Sequence, residues 1–328
     1  MQAWLLDQLT GLKGLRLADV PDPLPQAGEA VLEVHYAGLN PADRYLAQGQ
    51  YPARPSLPHI LGRDGMGTVI QAGNKTGELR PGDRRMVLRG DIGGERPGTF
   101  AQRVAVPAEG LVEVPSSWSD QQAAGATLVY LTAYQALTMW GPLPAPAVVL
   151  VTGASGGVGV AAVQLAAVMG HRVVALSRSA EKSKRLRELG AAATFNPADP
   201  HWRRALKAAL APRRVELAID SIGGQLLPEV IDTLDNLGKV SLVGRLAGPV
   251  PDFNTASLFF RRIRLGGVAV GAYTNAEGRA GWQEVVRLLA RTGARPEVDS
   301  IFPFDQLPKA FERLAQGPMG KVVLRVKS

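Results

Sequence analysis

One segment constrains this chain more than any other: Val148-Val-Leu-Val-Thr-Gly153-Ala-Ser155-Gly156-Gly157-Val158-Gly159. Its first four residues read as a buried strand, and the alanine- and valine-rich run from Gly157 to Met169 reads as a helix. Gly153 permits the tight turn between them. Gly156 and Gly157 remove side chains where the backbone has to approach a pyrophosphate, and Gly159 lets helix and strand pack closely. The free N–H groups at the helix start, with the helix dipole, attract phosphate oxygens. A glycine pattern alone says little, but strand, turn and helix in this order make it a dinucleotide-binding turn. Gly153, Ser155, Gly156, Gly157 and Val158 are then the cofactor-contacting set. Ser155 sits among glycines as a nucleophile would, yet the spacing after it suits a phosphate turn and no histidine partner can be assigned.

The same alternation continues downstream. Strands are expected at Arg172 to Leu176, Val215 to Ile219, Val240 to Val243 and Arg264 to Val268, with a helix at Ala180 to Leu189. Strand–helix alternation implies a parallel sheet with helices on both faces. Upstream, residues 29 to 37 alternate like a half-buried strand, and Pro and Gly punctuate the chain as far as Pro115, which suggests a compact barrel-like β region. Helical spacing covers 120 to 138, capped by Ser119 or Asp120. Helices at Ala280 to Arg291 and Leu307 to Gln316 and a strand at Lys321 to Val326 complete the reading.

The strand after the glycine turn separates two cofactors. NAD sites usually end this strand with an acid that binds the ribose 2′-hydroxyl. Here it ends Ala175-Leu176-Ser177-Arg178-Ser179, followed by Lys182, with no acid. A guanidinium can clasp a 2′-phosphate bidentately, and Ser177 and Ser179 add hydroxyl donors. The pattern selects NADPH; the alternative is that Arg178 and Lys182 are solvated helix charges.

Composition narrows the chemistry. The 328 residues suit two domains, and 46% hydrophobic with 20% charged residues is the profile of a packed globular chain. There is no cysteine, which removes disulfides, thiolate zinc sites and cysteine nucleophiles, and the four histidines have no metal-ligand spacing. No apolar run approaches a bilayer-spanning length and no signal peptide is legible, which points to the cytoplasm. The net charge of +8 is spread along the chain without basic–aromatic interleaving, which argues against nucleic acid as the partner.

Further short motifs recur in a fixed order: Gly38-Leu-Asn40-Pro41-Ala-Asp43, Gly49-Gln-Tyr51-Pro52, Leu61-Gly62-Arg-Asp64-Gly-Met-Gly67, Gly82-Asp83-Arg84, Ala124-Gly125-Ala-Thr127, Asp220-Ser-Ile-Gly223-Gly224 and Gly320-Lys321-Val-Val-Leu324. With them the whole chain resembles the medium-chain dehydrogenase/reductases, in the quinone oxidoreductase (zeta-crystallin-like) branch. The resemblance implies an α/β architecture. A Rossmann domain with a doubly wound parallel sheet (122–266) is inserted in a GroES-like, partly open β-barrel catalytic domain (1–121 and 267–328). It also implies a homodimer or homotetramer. Zinc-dependent members carry Cys where this chain has Asn40 and His-Glu where it has Arg63-Asp64, with a four-cysteine lobe near 89 to 98. A zinc-independent reductase of quinones or α,β-unsaturated carbonyls is therefore expected.

The resemblance also distributes roles. It places Asn40 near the nicotinamide, where its amide meets a substrate carbonyl or orients the cofactor; otherwise Asn40 is a turn residue. Tyr51 supplies a proton or is a packed aromatic of the cleft. Asp43 holds Asn40 or Arg63. Arg63 departs from the usual small neutral residue, and either binds an anionic or carbonyl-bearing substrate or forms an internal ion pair with Asp43 or Asp64. Thr127 contacts the nicotinamide carboxamide or is an ordinary helix residue. Val243, Gly244, Val268 and Val270 run past the nicotinamide as backbone, with the missing side chain of Gly244 making room. Two alternatives stay open: an enoyl-thioester reductase, and a non-catalytic NADPH- or RNA-binding crystallin-like protein.

Overall fold

Four consecutive apolar residues leave a strand no polar face to turn to solvent, and Val148–Val151 is fully buried on both sides. In the computed structural model, which describes residues 1–88, 91–250 and 254–327, it is the centre of a six-stranded parallel sheet. The order across that sheet is Ala193–Phe195, Arg172–Leu176, Val148–Val151, Val215–Asp220, Leu234–Leu242, Arg264–Gly267. The chain winds outward one way from Val148–Val151 and then returns to wind the other, so its two neighbours are the second and the fourth strands. Open sheets with such a reversal take their ligands outside the carboxyl ends of those two strands.

Helices cover the sheet because their stripes match it. Trp202, Leu206 and Leu210, four residues apart on Trp202–Leu210, are buried in one cluster with Leu176, Val215 and Val230. The strand expected from Val240 starts earlier, at Leu234. Its polar first half pairs through a bulge between Val215 and Leu217, with Leu237 at a φ of 61°, which hides the apolar alternation.

Contacts divide the chain into two units: Met1–Leu128, Tyr273–Ala280 and the chain from Arg295 on, and Val129–Ala272 with Gly281–Ala294. The sequence reading placed the limits at 121/122 and 266/267 and gave 281–294 to the catalytic domain. The helix there is Asn275–Thr292, longer than the expected Ala280 to Arg291. Thr274 and Glu277 bond reciprocally across its start. Its residues Trp282, Val285, Leu288 and Leu289 are buried, and a side chain at Gly281 would meet Leu131 Cδ1 at 3.0 Å, within the second unit.

The first unit is built from both ends of the chain. Its seven-stranded sheet runs Val298–Pro303, Lys321–Arg325, Glu29–Gly38, Asp64–Ala72, Arg84–Val87, Leu111–Glu113, with Arg103–Pro107 also paired to Glu29–Gly38. Lys321–Arg325 lies antiparallel to Glu29–Gly38, with Val323 opposite Gly38. The core follows the same pairing: Phe100 and Phe311 meet edge to face at 6.0 Å, and Trp4 Nε1 donates to the Phe304 carbonyl.

The expected helix 120–138 is two helices, Asp120–Ala124 and Thr127–Thr138. Ser119 caps the first, accepting from the Gln122 N–H. The break has a packing cause. A Cβ on Gly125 would stand 3.0 Å from the Lys321 Cβ and Cγ, and one on Gly38 would stand 2.7 Å from the Ala124 carbonyl oxygen. Gly125 thus admits the stem of Lys321, and Gly38 lets its strand close on the helix junction.

Candidate functional site

Apart from Thr127, the cofactor residues expected from the sequence lie at or just beyond the carboxyl ends of the parallel strands. Thr152, Ser177, Ser221, Val243 and Val268 each directly follow the carboxyl end of a strand. The edge is tied together by a buried acid. Asp220 Oδ1 accepts from the Thr152 hydroxyl at 2.5 Å, Asp220 Oδ2 accepts from the Gly223 N–H at 2.9 Å, and Thr152 Oγ1 accepts from the Ser221 N–H at 3.0 Å. Val243 N–H donates to the Asp220 carbonyl and Val268 N–H to that of Leu242. Val270 opens the short 3₁₀ turn Val270–Ala272.

At this edge the glycine turn is arranged as an anion cradle. Gly153 has a φ of +55°, which L side chains rarely adopt. The helix Gly157–Val168 starts from Gly156 with no side-chain cap, and its first N–H groups have no carbonyl a turn earlier to bond. Gly153, Ser155, Gly156, Gly157 and Val158 are all half-buried, so backbone donors reach the surface there. A Cβ at Gly156 would meet nothing nearer than 3.4 Å, so the space in front of the turn is open. These features fit a dinucleotide pyrophosphate.

Two further glycines are crowded by backbone. A Cβ on Gly159 would fall 2.3 Å from the Gly153 oxygen and 2.5 Å from Ala154 Cα, so its nearest neighbours lie inside the turn itself. Gly244 does not simply open room for a ligand, because its Cβ would stand 2.9 Å from the Ser221 carbonyl oxygen.

Beyond the second strand, Arg178 is exposed and has no acidic partner among the described residues, and Lys182 lies in the first turn of Ala180–Glu188. The two serines are turned inward rather than offered as free donors. Ser177 Oγ donates to the Ser179 carbonyl at 3.2 Å, and Ser179 Oγ caps the helix by accepting from the Lys182 N–H at 3.3 Å.

In the first unit a second set of predicted residues converges on a hub absent from the prediction. Asp64, fully buried, takes four donors: Lys321 Nζ and Asn40 Nδ2 at 3.0 Å on Oδ2, and the Thr127 hydroxyl at 3.0 Å and Leu128 N–H at 3.1 Å on Oδ1. Lys321 Nζ also donates to Asn40 Oδ1 at 2.7 Å. Asn40 is 2% exposed with both polar ends of its amide engaged, so the amide expected to face a substrate carbonyl is committed inside the protein. Thr127 is 1% exposed, and its hydroxyl lies between Asp64 and the Val87 carbonyl, 2.7 Å away. The sequence leaves Asn40 as a nicotinamide-side amide or a turn residue, and Thr127 as a carboxamide contact or an ordinary helix residue; in the structure both side chains bond the buried Asp64.

Asp43 holds Asn40 as expected, accepting from its backbone N–H at 2.8 Å on Oδ2, at the start of the helix Pro41–Ala47. Its Oδ1 is buried without a hydrogen-bond partner. Burial pushes the Asp43 carboxyl up to about 7, against the opposing pull of the Asn40 N–H and of the Arg63 and Lys321 charges.

Arg63 forms neither of the ion pairs considered for it. Lys321 occupies Asp64, and among the described residues no carboxylate lies within ion-pair distance of the Arg63 guanidinium. Its carbon instead sits 4.9 Å from the centre of the Tyr51 ring. Tyr51 is half-buried against the first unit's core, its carbonyl bonded by Arg54.

A divalent metal does not fit at Asn40, Arg63 and Asp64. The ammonium of Lys321 already stands between Asn40 and Asp64, and Arg63 brings a second positive charge. Among the described residues no group of three or more His, Asp or Glu is placed to hold a metal ion. Arg89 and Gly90 of the segment compared with the cysteine lobe lie outside the described residues. Among the described residues no helix is long and apolar enough to cross a membrane.

Comparison with known proteins agrees with this geometry. A family model described as zinc-binding dehydrogenase matches residues 157–291, and one described as alcohol dehydrogenase GroES-like domain matches 26–116. Mouse quinone oxidoreductase is 27% identical over 99% of this chain and 97% of its own length. The human synaptic vesicle membrane protein VAT-1 homolog is 30% identical over 96% of this chain and 85% of its own. A solved NAD-dependent alcohol dehydrogenase superposes with a TM-score of 0.93 at 27% identity, all of both chains being covered. A mycobacterial protein solved in complex with NADPH superposes with a TM-score of 0.89 at 26% identity, covering 99% of this chain and 100% of that one. Strand order, phosphate turn and full-length similarity agree: the chain belongs to the medium-chain dehydrogenase/reductase superfamily, in its quinone oxidoreductase (zeta-crystallin-like) branch.

Proposed function

We propose that the protein is an NADPH-dependent oxidoreductase that reduces quinones or α,β-unsaturated carbonyl compounds without a metal. The observation that carries this reading is the uncapped helix start after Gly156, followed on the next strand by exposed Arg178 where an NAD site has an acid. Gly153, Ser155, Gly156, Gly157 and Val158 bind the pyrophosphate through the backbone. Arg178 and Lys182 bind the 2′-phosphate beside Ser177. The backbone of Val243, Gly244, Val268 and Val270 borders the nicotinamide. The family carries a homodimer or homotetramer with it, in the cytoplasm.

NADPH bound there supplies a hydride to a carbon that is already electrophilic. The protein's share is to position the reactants and exclude water. In the first unit, Asp64 and Lys321 fix Asn40 and Thr127, while Tyr51 and Arg63 are the groups left to meet a substrate. The neighbours are divided on the cofactor, since one is an NAD-dependent alcohol dehydrogenase and another was solved with NADPH. The positive charge of Arg178 and the absent acid support NADPH for this chain.

The test is spectrophotometric. The protein is mixed with NADPH, or separately NADH, and a panel of small quinones and enones. Oxidation of NADPH in preference to NADH is the expected result, and no oxidation across the panel would sink the reading.

A further inference from the structure

The glycine turn lies at the carboxyl ends of the parallel strands. At their opposite, amino ends the same unit carries a groove of about 380 Å³ that no proposed cofactor residue lines. Arg213 and Arg214 directly precede the strand Val215–Asp220, and Asp232 and Thr233 directly precede Leu234–Leu242. The helix Trp202–Leu210 supplies one wall. It buries Trp202, Leu206 and Leu210 in the core beneath the sheet, and its 3.6-residue period leaves Arg203, Arg204 and Lys207 to line the groove.

The charges there do not balance. Five cationic side chains line the groove, from Arg203, Arg204, Lys207, Arg213 and Arg214, against the single carboxylate of Asp232. That carboxylate is already engaged: its Oδ2 accepts from Arg203 at 2.9 Å, and its Oδ1 lies 4.0 Å from Arg261. Arg213 is paired with Glu216 at 2.9 Å. Arg214 donates to the Asp232 carbonyl at 2.8 Å, a partner with no net charge to offset its own. Arg204 and Lys207, three apart on the helix, are exposed, and no carboxylate among the described residues lies within ion-pair distance of either. Arg204, Lys207 and Arg214 thus share one concavity with no acid of their own.

Like charges around a concavity repel, and low-dielectric walls concentrate their field inside it. The helix adds to that field at its His201 end, where it begins without a side-chain cap. An anion relieves the repulsion. Two guanidinium forks and an ammonium suit the several oxygens of a phosphate group. The volume is that of a small-molecule site. Apart from the His201 imidazole, no aromatic ring lines the groove on which a nucleic-acid base could stack.

We propose that this groove is a second anion site, which binds a small molecule carrying two or more phosphate charges and does so independently of the dinucleotide. Arg204, Lys207 and Arg214 bind the phosphate oxygens. Arg203 and Arg213 hold the walls through Asp232 and Glu216. The groove and the glycine turn lie at opposite ends of one sheet, so the two ligands do not compete. The site stands whether or not the protein is a reductase.

Inorganic pyrophosphate is the probe, titrated calorimetrically into the whole protein with the glycine turn already filled by excess NADPH. At about 0.15 M salt, where exposed charges are well screened, a Kd of about 0.1–1 mM is expected, roughly tenfold tighter than for sulfate. The double variant Arg204→Gln/Lys207→Gln should raise that Kd at least roughly tenfold, as the loss of a charged hydrogen bond does. Neither side chain has a partner to abandon, so the variant should melt like the parent. Arg178→Gln should leave pyrophosphate binding in the groove unchanged.

No binding at about 10 mM probe, far above the expected Kd, would overturn the site. So would undiminished binding in the double variant, or sulfate binding as tightly as pyrophosphate, which would mark general ion attraction. A single-stranded oligonucleotide that bound more tightly than pyrophosphate, and weakened with the same two substitutions, would also overturn it, making the groove a nucleic-acid surface. If NADPH itself fails to bind, the cofactor reading falls alone: pyrophosphate should then titrate the turn as well as the groove, and the double variant should still remove the groove's share.

Discussion

Lys321 Nζ stands 3.0 Å from Asp64 Oδ2 with both side chains almost fully shielded, 5% and 0% exposed. Such a pair adds little by existing, because desolvation cancels most of the attraction, but removing one member leaves a buried charge alone. Lys321→Met is therefore expected to cost about 3–5 kcal/mol in denaturant unfolding. Adding Asp64→Asn should recover part of that loss, since the stranded charge is gone while an amide oxygen still accepts from the Leu128 N–H. A double variant no better than Lys321→Met alone would show that the charge was not the cause.

This hub also marks where reading the sequence stopped. The phosphate turn was legible because strand, glycines and helix are contiguous, and backbone geometry acts over a few residues. Lys321 lies 281 residues from Asn40 and 257 from Asp64, and it is the antiparallel pairing of Lys321–Arg325 with Glu29–Gly38 that brings them together. A lysine heading Lys-Val-Val-Leu reads as a solvated strand end. The signal that could have found it is indirect: Gly38 and Gly125 each lack a Cβ where neighbouring atoms crowd, and a glycine inside a helical pattern asks what passes there. The roles given to Asn40 and Thr127 came from resemblance, which carries position but not which way a hydroxyl or amide turns. Arg63 was legible as unusual, but whether it pairs with Asp64 depended on whether another cation reached that carboxylate first.

Asp43 should make stability depend on pH. Its carboxyl lies at about 7 in the folded protein against 3.8 ordinarily, so the native state holds the proton more tightly than the unfolded chain. For an acid raised in this way, stability is greatest below the unfolded value and falls as pH rises through the window from about 4 to about 7. The slope contributed by one group is at most about 1.4 kcal/mol per pH unit. Asp43→Asn keeps an oxygen for the Asn40 N–H but does not titrate. The stability difference between variant and parent should thus grow in favour of the variant across that window and level off above it. Curves that stay parallel from pH 4 to 8 would contradict the buried carboxyl.

The two glycines of the phosphate turn should fail in different ways. Gly159→Ala places a Cβ against turn backbone at 2.3 and 2.5 Å, and backbone cannot give way as a flexible side chain can. A loss of about 1–3 kcal/mol is expected, visible as a lower melting temperature without any ligand. Gly156→Ala meets only a 3.4 Å contact and sits at φ −76°, ψ 172°, which any residue adopts. It should melt close to the parent, yet bind NADPH more weakly, because its methyl enters the space in front of the helix start. Equal effects of both substitutions on melting would mean that the turn is crowded throughout and the proposed phosphate space is absent.

On the proposed reading, the choice of cofactor turns on Arg178. It is exposed, follows the second strand directly, and has no acidic partner among the described residues, so a bound phosphate would not have to displace a competing carboxylate. A hydrogen bond to a charged group is worth about 1.5–3 kcal/mol, or roughly ten- to a hundredfold in affinity. Arg178→Gln should raise the Kd for NADPH by that factor and leave NADH nearly unchanged, because NADH lacks the 2′-phosphate. Lys182→Gln should do the same to a smaller degree, its ammonium being a point charge without the fork. Salt gives a second readout: the preference for NADPH should shrink as ionic strength rises, and shrink less in Arg178→Gln, where less of it is electrostatic. If both cofactors weakened together, Arg178 would be supporting the turn rather than reading the phosphate, and the cofactor assignment would lose its main residue.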